Sequence, residues 1–221
     1  MLLKNITTED IKYFMMLLQF ITAVIGTIYY YKYKNSVLKY FLYLLWYTSL
    51  NDVLGYFYQD ITNAANNYFI YNFYQVLRFS IILFIYKSYV ESIDYKKLIK
   101  LFIGAYCLSV VINFFVEDFF ETYFVNTFII GATLIATSVL FYLFEVLKSD
   151  KVLYVTESLI FWVSFAHLVY FVPNVPFYIV RKYYSDSSSI PYIFMINYFL
   201  LLVYYLILIL GFIWSKPESK E

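Results

Sequence analysis

Arg78 stands in the stretch YNFYQVLRFSIILFI, residues 71–85, which otherwise carries no charge. A guanidinium stays protonated and offers five donors in a planar fork, a geometry suited to carboxylates and phosphates. Within the chain its candidate partner is Asp52 of SLNDVLGYFY, with Asn51, Asn72 and Gln75 available for the donors that one carboxylate leaves free. Tyr71, Gln75 and Arg78 recur at i, i+4 and i+7, a spacing that predicts one shared helical stripe.

A second group lies in TESLIFWVSFAHLVYFVPNVPFYIVRK, which holds the one histidine of the chain, His167. Ser164, His167 and Asn174 follow at spacings of three and seven, so one face can carry all of them. Pro173 and Pro176 cannot donate backbone hydrogen bonds and free the carbonyls of Val169 and Val172, which predicts a hinge. His167 has two readings, a titrating or ligand-touching imidazole and a neutral one bonded to a neighbouring helix. Asn197 completes the set, about two turns into the last apolar run.

These residue types bind and switch more readily than they catalyse. One histidine and one deep aspartate are too few for a catalytic zinc site, and no metal or cofactor is expected. Ser164 has His167 three residues away but no GxSxG turn or oxyanion glycine, so the chain is not expected to be an enzyme. Residues 190–215 contain no lysine that could carry a retinal Schiff base. Cys107, the one cysteine, gives no disulfide framework or CxxC site.

The elements that must position these groups follow from composition. The 221 residues are 63% hydrophobic and 14% charged, with a mean hydropathy of +0.69. A soluble globule of this size could not hide so much apolar surface, which makes the lipid bilayer the expected solvent. A net charge of +1 without a basic face argues against nucleic acid as a partner. The first residues lack the basic start and small-residue cleavage site of a signal peptide, so the first apolar run is expected to persist as a helix.

Runs of bilayer length appear near 12–31, 37–58, 68–90, 98–116, 121–147, 152–181 and 190–214. They predict one all-α domain over residues 1–221, a seven-helix membrane bundle. Lys32, Lys34, Lys39, Lys87, Lys96, Lys97, Lys100, Lys148, Lys151, Lys216 and Lys220 fall on one side. Lys4, Lys12, Arg181 and Lys182 fall on the other, and the positive-inside rule then puts the N-terminus outside and the C-terminus in the cytoplasm of a bacterial inner membrane. Asn5-Ile6-Thr7 matches a glycosylation acceptor, and the serine-rich Tyr184–Ser189 reads as a flexible outer connector.

In that frame Asp52 lies about 12 Å and Arg78 about 15 Å below the outer boundary, close enough in depth to meet. Asn113, Asn126, Asn174 and Asn197 share the outer half, while the inner halves read FSIILFIY, LIATSVLFYLF and FLLLVYYLILILGF. Glu145 and Glu157 at the inner boundary can be met by loop lysines or by snorkelling. Tyr47, Tyr71, Tyr74, Tyr170 and Tyr198 are deep enough to line a pocket, although a codon bias toward Tyr, Phe, Ile, Asn and Lys accounts for the aromatic excess equally well. A polar outer half over an apolar base predicts an outward-facing pocket around Asp52, Arg78, Gln75, His167 and Asn197. A through-going channel or alternating-access transporter would instead carry polar lining on both sides.

The phrase FWVSFAHLVYFVPNVPFYI, with the late LILILGFIW and the short lysine-ended tail, resembles small seven-span membrane proteins of Bacteroidota of unknown function. Comparable seven-span units serve as sensory inputs to histidine kinases, and the resemblance implies the same kind of role. The expected function is a sensory, ligand-binding membrane module that takes a small anionic or polar ligand from outside and signals to a cytoplasmic or membrane partner. The alternatives are a small-molecule or proton-coupled ion transporter and a non-catalytic structural subunit.

Overall fold

The computed structural model describes residues 8–62, 64–183 and 190–218. Among them every regular element is helical: α1 (Thr8–Ile28), α2 (Lys39–Thr62), α3 (Tyr68–Tyr89), α4 (Ile93–Val116), α5 (Val125–Leu147), α6 (Leu159–Tyr183) and α7 (Ile190–Trp214). Six of the seven are long and apolar enough to cross a membrane; α2 is the exception. Asn51 and Asp52 in its second half, and Gln59 and Asp60 near its end, lower its hydropathy. The acceptor tripeptide at residue 5, Lys4, Lys220 and the serine-rich connector lie outside the described residues.

Helix boundaries differ from expectation where the chain turns polar. The chain leaves the helix after Ile28 and forms a short 3-10 turn over Tyr30–Lys32. DKVLYVTE forms 3-10 turns broken at Tyr154 and buries nothing, so α6 starts at Leu159, later than residue 152. α4 starts at Ile93, earlier than residue 98, because its N-terminus is capped from another helix: the Glu145 carboxylate accepts the amides of Glu91 (2.7 Å) and Ser92 (2.8 Å). Glu145 thus caps a helix, where a loop lysine or snorkelling was expected.

Six helices close a ring in the order α1, α2, α3, α5, α6, α7, back to α1, and α4 packs outside it on α3 and α5. α3 holds the ring together. Asn72, Gln75, Phe79, Ile82, Leu83 and Tyr86 form its buried stripe at helical spacing. Gly131 of α5 allows the close approach, since a Cβ there would sit 2.7 Å from the Phe79 ring and 2.9 Å from Tyr106.

The two ends of the ring differ. One end gathers the start of α1 and the α2–α3 and α4–α5 connections, where Asn66 donates to Glu121 (3.1 Å), and the end of α6, where Lys182 pairs with Glu117 (2.6 Å). The other gathers the lysine-rich connections and the tail: Lys151 pairs with Glu91, and Lys216 with Glu157 (2.6 Å). Between the ends, Phe14, Leu17, Leu54, Leu108, Leu140 and Leu206 are among the apolar side chains left exposed, a surface suited to lipid.

Candidate functional site

At the lysine-poor end the ring encloses a cavity of about 560 Å³. Its lining comes from every ring helix and from none of α4, with Arg78 among the residues farthest from the helix starts and connections at that end. The volume lies in the range of small-molecule sites. Tyrosine is the commonest residue of the walls: Tyr71 and Tyr74 of α3, Tyr170 of α6, and Tyr198 and Tyr205 of α7 are among them.

Helical rotation decides which polar residues face it. Tyr71, Tyr74 and Arg78, at i, i+3 and i+7, line the cavity, whereas Gln75 stands about 60° further round than Arg78 and faces away. Gln75 Nε2 donates to the Phe124 carbonyl (3.1 Å). Asn72 makes three bonds to the α4–α5 connection, donating to Phe119 O (2.9 Å) and Thr122 O (2.8 Å) and accepting from Phe124 N (2.9 Å). Both amides brace that connection and neither supports Arg78, which corrects the stripe expected from spacing.

The expected Asp52–Arg78 ion pair is absent: no carboxylate among the described residues lies within 4.0 Å of the guanidinium. Both side chains face the same cavity, and Tyr74, an electrostatic neighbour of both, stands in their shared surroundings. Aromatic rings enclose the Arg78 guanidinium, with Phe171 at 4.9 Å, Tyr170 at 5.2 Å and Tyr74 at 5.8 Å to the ring centroids. Asp52 has Gln19 of α1 as its principal polar neighbour, followed by Arg78 and Lys12. Gln19 accepts the Tyr205 hydroxyl (2.6 Å), and its amide nitrogen faces Asp52 short of a well-formed hydrogen bond.

Of the other expected residues, Asn197 lines the cavity and its buried Oδ1 has no protein donor. Asn51 is buried outside the cavity. Asn174 is also buried, its Nδ2 turned back to the Tyr170 carbonyl (2.6 Å) one turn earlier, so it serves its own helix. His167 does not reach the cavity. Its Nδ1 meets the Tyr86 hydroxyl (2.9 Å), which also donates to Ser164 (3.1 Å), and Phe41, Phe171 and Tyr204 surround the ring. Pro173 and Pro176 sit on the exposed face of a helix that runs unbroken from Leu159 to Tyr183.

Sequence reasoning passed over Lys12, Gln19 and Thr48. Thr48 bonds Tyr74 (2.9 Å) and the Leu44 carbonyl (2.7 Å), which fixes the Tyr74 ring beside Arg78. A polar side chain inside the first apolar run was the available signal for Gln19. No group of three or more His, Cys, Asp or Glu among the described residues could hold a metal. No family model, curated protein or solved structure matches the chain.

Proposed function

We propose that the protein is a seven-span membrane receptor-like module, N-terminus outside, whose cavity binds a small polar or anionic molecule and whose lysine-rich end addresses a signalling partner. The observation that carries this reading is a guanidinium lining a cavity of ligand size with no carboxylate in ion-pair contact among the described residues. An internal ion pair would have made Arg78 a structural group; an uncompensated one gains most from a ligand that supplies the missing charge.

Seven spans are supported by the ends themselves. Successive connections alternate between the two ends with α2 included, and the lysine-bearing ones share an end. The positive-inside rule then places the cavity on the outer side.

A sensor fits the lower half better than a transporter does. Beneath Arg78 a void of about 10 Å³ lies between Phe41, Leu45, Tyr204 and their neighbours. The core below is packed by Leu83, Ile135, Val139, Val163 and Leu208. The polar groups below it, His167, Tyr86 and Ser164, bond one another inside a shell of aromatic rings and line no part of the cavity, whereas alternating access needs an open polar path.

The test is thermal stabilisation of the full chain in lipid nanodiscs by a panel of small anions and polar solutes, beside flux of the same solutes in proteoliposomes. Stabilisation that Arg78→Gln abolishes, without flux, is the expected result. Flux of a stabilising solute would replace the sensor reading with the transporter.

A further inference from the structure

We infer that the cavity is built for a small zwitterion, a molecule carrying a carboxylate and an ammonium beside an apolar or aromatic group. The inference rests on the ligand-binding reading above and narrows it to one chemical class.

The cavity has two charged poles. Arg78 is one, with Tyr170 and Phe171 about it. Asp52 is the other, and its electrostatic neighbours include Tyr71, Tyr198 and Tyr205. Both poles line the same space, yet they are held more than 4.0 Å apart and neither closes the other in an ion pair. The third charge, Lys12, lies near the start of α1 over the Tyr56 ring (5.0 Å) and forms no ion pair with Asp52 within 4.0 Å.

Each pole suits one end of such a molecule. The planar fork of Arg78 can take a carboxylate through two parallel hydrogen bonds. An ammonium gains from Asp52 by charge and from tyrosine faces by cation–π attraction. A plain anion on Arg78 would face Asp52 and be repelled, and a plain cation at Asp52 would face Arg78. Only a solute carrying both charges satisfies both poles without adding net charge to a low-dielectric space. Asn197 Oδ1, buried without a protein donor, places one further acceptor on the cavity wall.

Three probes of equal ring size separate the possibilities: phenylalanine, 3-phenylpropionate, which lacks the amine, and 2-phenylethylamine, which lacks the carboxylate. Calorimetric titration of the full chain in nanodiscs should show phenylalanine binding on the order of ten- to a hundredfold more tightly than either analogue, the worth of one charge-assisted contact. Asp52→Asn should bring phenylalanine down to the level of 3-phenylpropionate while leaving 3-phenylpropionate unchanged or tighter. Arg78→Gln should bring it down to the level of 2-phenylethylamine. The wild-type comparison stands even if a variant fails to fold, which gel filtration reports. Equal binding of phenylalanine and 3-phenylpropionate would overturn the zwitterion and leave an anion site, so the ligand-binding reading would survive. Binding of none of the three, with no stabilisation by the wider panel of anions and polar solutes, would overturn both.

Discussion

Lys32 at the lysine-rich end and Arg78 beside the cavity are both drawn into the bundle, and their surroundings are opposite. The Lys32 ammonium has all three donors taken by backbone carbonyls at the end of α7, those of Phe212 (2.8 Å), Ile213 (2.9 Å) and Ser215 (2.6 Å). These are groups a helix C-terminus leaves unpaired, and a positive charge is favoured there. The tail closes over it: the Glu218 amide donates to Lys32 O (2.9 Å), and Glu218 Oε1 accepts the Tyr89 hydroxyl (2.7 Å). Arg78 has rings around it and no carboxylate partner among the described residues. A saturated charge holds a fold together, whereas an unsaturated one beside open space is available to something that arrives.

The largest effect is expected at the saturated cation. Lys32→Met removes three charge-assisted bonds and should lower stability by about 3 kcal/mol. It should also open the tail to protease, and equilibrium unfolding in detergent with limited proteolysis checks both. Wild-type stability in this variant would erase the contrast between the two sites.

Asn72→Ala comes next. It strips partners from Phe119 O, Thr122 O and Phe124 N, and should cost about 2 kcal/mol. Hydrogen exchange should quicken in residues 117–128 and stay unchanged at the lysine-rich end. Exchange that rises equally at both ends would mean the cavity end is not an independently braced unit.

A smaller effect is expected from the exposed Glu91–Lys151 pair. Lys151 holds the Glu91 carboxyl below its usual range, so the pair stabilises above the unfolded carboxyl's titration and loses that contribution as pH falls through the lower, folded value. Being largely solvent-exposed, it should contribute about 0.5 kcal/mol or less. The stability gap between wild type and Glu91→Gln should be small at neutral pH and close in acid. A gap that widened in acid would reverse the sign.

The smallest effect carries the most weight. Arg78→Met replaces an uncompensated cation by an apolar side chain of similar length, and ligand-free stability should stay within about 0.5 kcal/mol or rise. A loss of about 2 kcal/mol or more, read by the same unfolding measurement, would make Arg78 a structural group like Lys32.

The helical state of the seven runs, the apolar character of six of them and the burial of Ser164, His167 and Asn174 on one face of α6 were legible in the residues alone. So was the concentration of polar side chains in one half. The pairing of Asp52 with Arg78 was not legible, because equal depth does not imply contact. The roles of Asn72 and Gln75 went unread because spacing alone does not say which side of a stripe the neighbouring helix occupies. Lys32 looked like one more loop lysine, since nothing local marks a side chain that reaches the end of a helix 180 residues later.

By itself the sequence determined that this chain is helical and that six of its helices are apolar enough for a membrane, because hydropathy and helix propensity are properties of local segments. The tertiary structure decided the rest: a six-helix ring with α4 outside, Tyr71, Tyr74 and Arg78 turned into a cavity, and Lys32 closed over the end of α7. The physical reason is that a helix's rotation about its own axis is set by what packs against it. A few tens of degrees there separate a side chain that braces a loop from one that faces a ligand-sized space.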